Sequence, residues 1–421
     1  MSVTAAKPAA KPAEPTETER YPYWRRNMVL VPLINALCSL GFAVSFPFVP
    51  LVVRELGVTE RLETWVGFMM LAFYIIGFVM NPVWGGIADH YGRRLMMLRA
   101  SAGMGLFFCL IPFAPDPWWF AAAFLAVGVF NGFIPAGMAL LVANTPPRRL
   151  GSALSWAQSG GLIGHTVGPA IGAALVTLFA TYRYLFWFSG ALLLGGAGLT
   201  LALVREVKRR GEGRFRLRLV RDLRVLLQVP GLGLVFFLSF VLMVNYHGNT
   251  MVLSIYMLEL VAAHPLQLGL SEGMWVGMVA VGLSVASAVS LPVWGRVLDR
   301  FDPVRVLALG LLAAVLTMLP VVFVQTPLQL TIARAVFGLL TSVLNPGIVR
   351  VLKDRAPQGM DARAISYATA FQMIGMGVAP FVAGLVGPWL GLRAYFAFAC
   401  GLTALAWLVW VRWGMRDPAP Q

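Results

Sequence analysis

The chain has 421 residues, of which 59% are apolar and 12% charged, with a formal net charge of +15 and a mean hydropathy of +0.77. Soluble domains carry about 25% charged residues, so this composition excludes a soluble globular protein. Apolar runs of about 20 residues must satisfy their own backbone hydrogen bonds in lipid, which selects helices.

Residues 1–26 are rich in Ala, Pro, Thr and Glu and are expected to be a disordered cytoplasmic tail. They lack the basic-then-apolar order of a signal peptide, so the first run is expected to stay as an anchor. Apolar runs follow near 27–50, 65–84, 95–114, 118–141, 152–180 and 184–204. A basic segment, 205–229, then contains KRRGEGRFRLRLVRDLR. It reads either as a surface helix with Phe215, Leu217, Leu219, Val220 and Leu223 inward, or as a flexible connector. Runs resume near 230–258, 273–294, 304–324, 328–349, 364–387 and 391–411, ahead of a short tail, 412–421. The fold class is therefore an all-α polytopic membrane protein, with twelve transmembrane helices in two six-helix bundles, 27–204 and 230–411.

Basic residues set the orientation. With an even helix count both termini share one side, whose loops hold nearly all of the 33 Lys and Arg. The opposite loops hold Arg54, Arg61, Arg183 and Arg393, and Arg334 falls inside a run. This asymmetry predicts a multi-pass protein of the cell membrane with both termini and the central segment in the cytoplasm. The net charge then needs no nucleic acid as partner and suits anionic phospholipids at the cytoplasmic face. Cys38, Cys109 and Cys400 all lie in apolar runs without a C-x-x-C, so neither a disulfide scaffold nor a metal site is expected.

A repeat links the halves. Pro82-Val83-Trp84-Gly85 reappears as Pro292-Val293-Trp294-Gly295, and Asp89 as Asp299. Ser155, Gly164, Val167 and Pro169 return as Ser366, Gly375, Val378 and Pro380. Six-helix halves repeated in parallel are the architecture of an alternating-access carrier.

On these residues the chain resembles the major facilitator superfamily from about residue 27 to 411. GGIADHYGRR fits that family's loop G-x-x-x-D-x-x-G-R-R at Gly85, Asp89, Gly92, Arg93 and Arg94. The second copy keeps Gly295, Asp299 and Arg300, with Asp302-Pro303 replacing Gly-Arg. The resemblance implies a conformational latch. Gly85 would let the second helix approach the eleventh, Asp89 would face that helix's positive end, and Arg93 would bridge to an acid on the fourth helix. The family's acid is replaced by Asn144, a neutral acceptor. The bland alternative is a topogenic charge cluster that never rearranges.

Gly160, Gly164, Gly168-Pro169 and Gly172 resemble the glycine-rich fifth helix of drug/proton antiporters, and FPFVPLVVRELG resembles the end of the first helix in twelve-helix exporters. Together they favour export. Such exporters normally carry a membrane-buried carboxylate and a helix 4 arginine. Here every Asp and Glu lies in a loop, a tail or at a helix end, and Ala123 or Phe124 stands where the arginine is expected.

The polar residues inside the runs are the remaining candidates. Arg334 is either functional, as buried charges in membranes usually are, or snorkels to the outer headgroups. Glu259 either borders the cavity, pairing with Arg334 or binding a proton, or is a solvated helix end. His165 and His247 are titratable alternatives or packing residues. Asn245 and Asn249 complete the coupling candidates. The family places its cavity among helices 1, 4, 7 and 10, so Asn35, Phe42, Phe46, Asn131, Met243, Tyr246, Met251, Tyr256 and Phe337 are expected to line it. Such aromatic, Met-rich walls suit hydrophobic or amphipathic cargo.

The leading reading is a secondary exporter of such compounds, a multidrug/proton antiporter acting as a monomer. A lipid or glycolipid transporter, with Arg334 on the headgroup, is the alternative, and a non-transporting sensor or scaffold is a third. No cofactor is expected. No nucleophile triad or G-x-x-x-x-G-K-[ST] loop supports an enzyme or direct ATP drive.

Overall fold

The computed structural model describes residues 21–178, 181–207, 219–264, 267–357 and 360–414. Among them, 12 helices are long and apolar enough to cross a membrane. They are α1 (Trp24–Glu55), α2 (Leu62–Gly85), α3 (Arg93–Phe113), α4 (Pro117–Asn144), α5 (Arg148–Val176) and α6 (Tyr184–Leu203) in the first half. The second half holds α7 (Leu232–Ala263), α8 (Glu272–Arg300), α9 (Pro303–Phe323), α10 (Pro327–Arg355), α11 (Ala364–Leu390) and α12 (Leu392–Gly414). Between the halves, Leu219–Leu227 is a short helix with Leu226 buried and Arg221 and Arg224 exposed. Phe215 and Leu217 lie outside the described residues, as do the Leu219 and Val220 side chains.

The two halves pack alike. In the first, α1 lies on α5, α2 on α4 and α3 on α6; in the second, α7 lies on α11, α8 on α10 and α9 on α12. Gly160, Gly164, Gly168 and Gly172 stand directly against Pro32, Ala36, Ala43 and Val44 of α1, where no side chain would fit. The start signals repeat as well. Asp116 caps α4 through the Trp119 N–H at 2.8 Å, Thr326 caps α10 through the Gln329 N–H at 3.3 Å, and a proline follows each cap.

The repeated tryptophan has a structural reason. α4 breaks at Asn131–Gly132, where Gly132 has a φ of 128°, and α10 breaks after Thr341. Trp84 donates its indole N–H to the Val129 carbonyl at 2.8 Å, and Trp294 does the same to Leu339 at 2.9 Å. Each indole thus serves a carbonyl beside a helix break that would otherwise lack a partner.

The halves meet through α2–α11 and α5–α8. At the face away from the chain ends these pairs are tight. Thr64 donates to the Gly384 carbonyl at 2.6 Å, Gly67 lies on Pro380, and Gly273 and Gly277 lie on Val176 and Ala173. Toward the face carrying the chain ends the pairs part. α2 and α11 still touch where Asn81 reaches the Met373 sulfur, 3.6 Å away. Among the described residues, a side chain added at Gly85 or Gly295 would meet nothing within 4 Å. The close approach to α11 expected of Gly85 is therefore not made in this state, because the helices have already splayed.

Candidate functional site

A buried cation marks the centre of the second half. Arg334, on α10, is 1% exposed, so it does not snorkel. Its Nη1 donates to the Asn245 carbonyl and its Nη2 to the Tyr246 carbonyl, both at 3.4 Å. Those carbonyls belong to Val244–Gly248, where α7 winds as a π-helix. A π-turn displaces carbonyls from the ordinary i→i−4 ladder and is frequent at functional sites. The guanidinium also lies over the Phe337 ring, 4.7 Å from its centroid.

The surrounding groups are neutral. Asn245 Nδ2 donates to the Val241 carbonyl at 2.9 Å and to Thr403 at 2.8 Å. The Tyr246 hydroxyl donates to Ser287 at 2.6 Å, and the Tyr395 hydroxyl donates to Asn249 Oδ1. Glu259 does not enter this centre. It is exposed at the far end of α7, among charges that include Glu63 and Arg393. Arg334 Nε, Asn249 Nδ2 and Asn245 Oδ1 are buried without a hydrogen-bond partner.

The other expected wall residues divide. Phe42 and Phe46 are half-buried, with ring centroids 4.7 Å apart, and His165 of α5 meets Phe42 edge-on at 6.3 Å. Asn131 and Tyr246 are half-buried too. Asn35 is fully buried between α1 and α5, donating to the Ala157 carbonyl at 3.4 Å, so it packs helices here. Met243, Met251, Tyr256 and Phe337 are likewise packed inside their bundle, with the Tyr256 hydroxyl on the Val324 carbonyl at 3.0 Å. The His247 side chain lies outside the described residues.

The repeated loop holds residues that spacing could not reveal. Glu206, just past α6, accepts the Arg93 N–H at 3.0 Å and the Arg94 N–H at 2.9 Å, capping the start of α3. Its neighbours are fixed too. The Arg205 carbonyl accepts from Asn27 of α1 at 2.7 Å, and the Val207 N–H donates to Asn144 of α4 at 2.9 Å. Three consecutive residues thus clasp three helices. Asn144 serves the connector, and Arg94 reaches the Leu201 carbonyl at 2.6 Å. The Asp89 side chain lies outside the described residues, and Asp299 and Arg300 are exposed. Arg99 of α3 stacks on Trp84, 3.8 Å from the ring centroid.

The far face has its own charges. Arg54 of α1 pairs with Glu272 of α8 across the halves, and Ser254 of α7 donates to the Pro47 carbonyl of α1 at 2.8 Å. Glu55 turns back within its half, accepting from Thr181 at 2.6 Å and from the Tyr182 N–H at 3.1 Å. Burial, then the Glu272 carboxylate, holds the Tyr182 phenol above its usual range. Adjacent Arg54 and Glu55 offered a sequence signal, but opposite charges beside each other do not name their partners.

Comparison with known proteins places this architecture. The family model described as Major Facilitator Superfamily matches residues 33–263 and 235–421. Over 392 residues the chain is 30% identical to the multidrug resistance protein MdtG of Escherichia coli, covering 92% of this chain and 94% of MdtG. The fold is similar to the nucleoside transporter NupG, with a TM-score of 0.72, 13% identity, and coverage of 93% of this chain and 98% of NupG. It is also similar to a bacterial homologue of the human lysosomal transporter Spinster in an inward-facing, unoccupied conformation. That likeness has a TM-score of 0.74 and 14% identity, covering 95% of this chain and 99% of the homologue.

Proposed function

The chain belongs to the major facilitator superfamily, and from that premise we propose that it exports hydrophobic or amphipathic compounds in exchange for protons. That it is a secondary-active transporter working by alternating access follows from its family. The observation that carries the finer reading is the inter-half seam, closed at one face and parted at the other, beside an interior that holds the buried cation Arg334. Uncharged aromatic and methionine side chains adapt to cargo of varied shape. The name of the relative MdtG, a multidrug resistance protein, supports the same class.

Both chain ends are proposed to lie in the cytoplasm, a reading that the distribution of basic residues supports. The parted face is then the one that loads cargo for export. Outward opening requires Arg54–Glu272, Ser254–Pro47 and Thr64–Gly384 to break while α2 and α11 close over Gly85. Glu259 at the far mouth and His165 beside Phe42 are the groups proposed to carry the proton. The connector helix is proposed to lie on anionic headgroups through Arg221 and Arg224, and the unit is proposed to be a monomer.

The test is uptake of cationic, neutral and anionic fluorescent dyes into proteoliposomes, with and without an imposed pH gradient. Accumulation should follow the gradient and fall at least about tenfold in E259Q or in a His165→Asn variant. Transport of labelled lipid with no dye movement would make the lipid reading the correct one.

A further inference from the structure

Arg334 poses a problem of charge. A guanidinium cannot shed its proton at physiological pH, and a buried charge without a counter-charge is among the costliest features a fold can hold. Two carbonyls at 3.4 Å, the Met318 sulfur at 3.9 Å and the Phe337 ring offset that cost only as dipoles. Among the described residues, no ion pair includes Arg334.

The groups around it favour one sign. Arg334 Nε and Asn249 Nδ2 are donors without partners, and among the described residues Asn245 Oδ1 is the one acceptor in that condition at this centre. The Tyr246 and Tyr395 hydroxyls lie close enough to feel the Arg334 charge. In the resting arrangement both are engaged, on Ser287 and Asn249. A site with spare donors, a fixed cation and no carboxylate among the described residues is complementary to a negative charge.

We propose that Arg334 is an anion-recognition centre, and that the transported species brings the negative charge that Arg334 lacks. This rests on the transporter reading. The ligand is an amphipathic monoanion, a carboxylate or sulfonate on an apolar body, or a free inorganic anion that accompanies neutral cargo. The apolar body would rest against the half-buried Tyr246, while the acid meets Arg334 Nε and Asn249 Nδ2. Access runs past Tyr246, which is half-buried while Arg334, Asn245, Asn249 and Tyr395 are buried. Releasing its hydroxyl from Ser287 and reseating the π-turn would expose the guanidinium without unfolding α7. A π-turn can shift along a helix by exchanging one hydrogen bond for the next.

The experiment uses the full chain in proteoliposomes and a matched pair of dyes, a fluorescent amphipathic carboxylic acid and its methyl ester. Each is assayed in chloride and in gluconate. Wild-type protein should carry the acid at least about tenfold faster than the ester in either salt, and R334Q should bring the two within about twofold. R334K, which keeps the charge but loses the planar fork, should retain part of the preference. Ester transport that needs chloride and loses that need in R334Q would identify the free ion as the source of charge. The wild-type comparison needs no variant, so misfolding of R334Q leaves the question answerable. Equal rates for acid and ester, with no chloride effect, would overturn the anion assignment and leave the transporter reading standing. Movement of no dye and no lipid would overturn the transporter reading itself.

Discussion

The two copies of the short loop begin alike and end differently. Both tryptophans serve a carbonyl beside a helix break, at 2.8 and 2.9 Å. Beyond them, the first copy turns at Gly92, with a φ of 103°, and relies on Glu206, more than a hundred residues later, to cap α3. The second copy turns at Asp302, with a φ of −56°, and that residue caps α9 itself through the Val304 N–H at 3.0 Å. One helix start is capped by a distant residue; the other is capped by its own turn. Asp302-Pro303, which departs from the family pattern, is thus a local helix-start signal in place of a long-range one.

The sharpest way to break this contrast is at the turn. Gly92→Ala forces a side chain into a backbone region that only glycine occupies readily, and should cost about 1–3 kcal/mol. Asp302→Ala removes a cap and should cost about 1 kcal/mol. Unfolding of both variants in detergent would show the inequality, and equal losses would contradict it.

The clasp comes next. Glu206→Gln keeps the shape but removes the charge from two backbone contacts, and should cost about 1–2 kcal/mol. It should also slow transport, because the α2–α3 turn loses its anchor. Adding Asn144→Asp should restore part of the rate by returning a carboxylate beside the same connector. If E206Q transports at the wild-type rate, the clasp is packing alone.

The tryptophans should give the smallest difference. Trp84→Phe and Trp294→Phe each lose one hydrogen bond, about 1 kcal/mol. Trp84→Phe should lose somewhat more, about 0.5 kcal/mol, through the weakened stack with Arg99. Equal melting shifts would mean that this stack contributes nothing measurable.

Much of the scaffold was legible in the sequence, because lipid leaves few options for an apolar run. The run near 65–84 corresponds to Leu62–Gly85, and that near 304–324 to Pro303–Phe323. The run near 118–141 gave no warning that α4 would break at Gly132, since glycine is common in membrane helices of every kind. Arg334 stood out because a charge in an apolar run is rare. Its carbonyl partners did not, because they depend on a π-turn that no residue pattern marks. Asn35, Met251 and Tyr256 fall on cavity-forming helices by number, and helix number does not say which way a side chain points. In the sequence, Glu206, Arg54 and Glu272 are only charges in loops or at helix ends. Their partners lie in other helices, and only the folded packing brings them together.

The clasp at Arg205, Glu206 and Val207 also says where the gene could be cut. Those residues belong to the first bundle through Asn27, the start of α3 and Asn144, and the next described helix begins at Leu219. Two polypeptides parted between 208 and 218 would each keep their own staples, so co-expressed fragments should find each other through the α2–α11 and α5–α8 seams. A cut two residues before Val207 would leave the amino-terminal fragment without the carboxylate that holds its own turn.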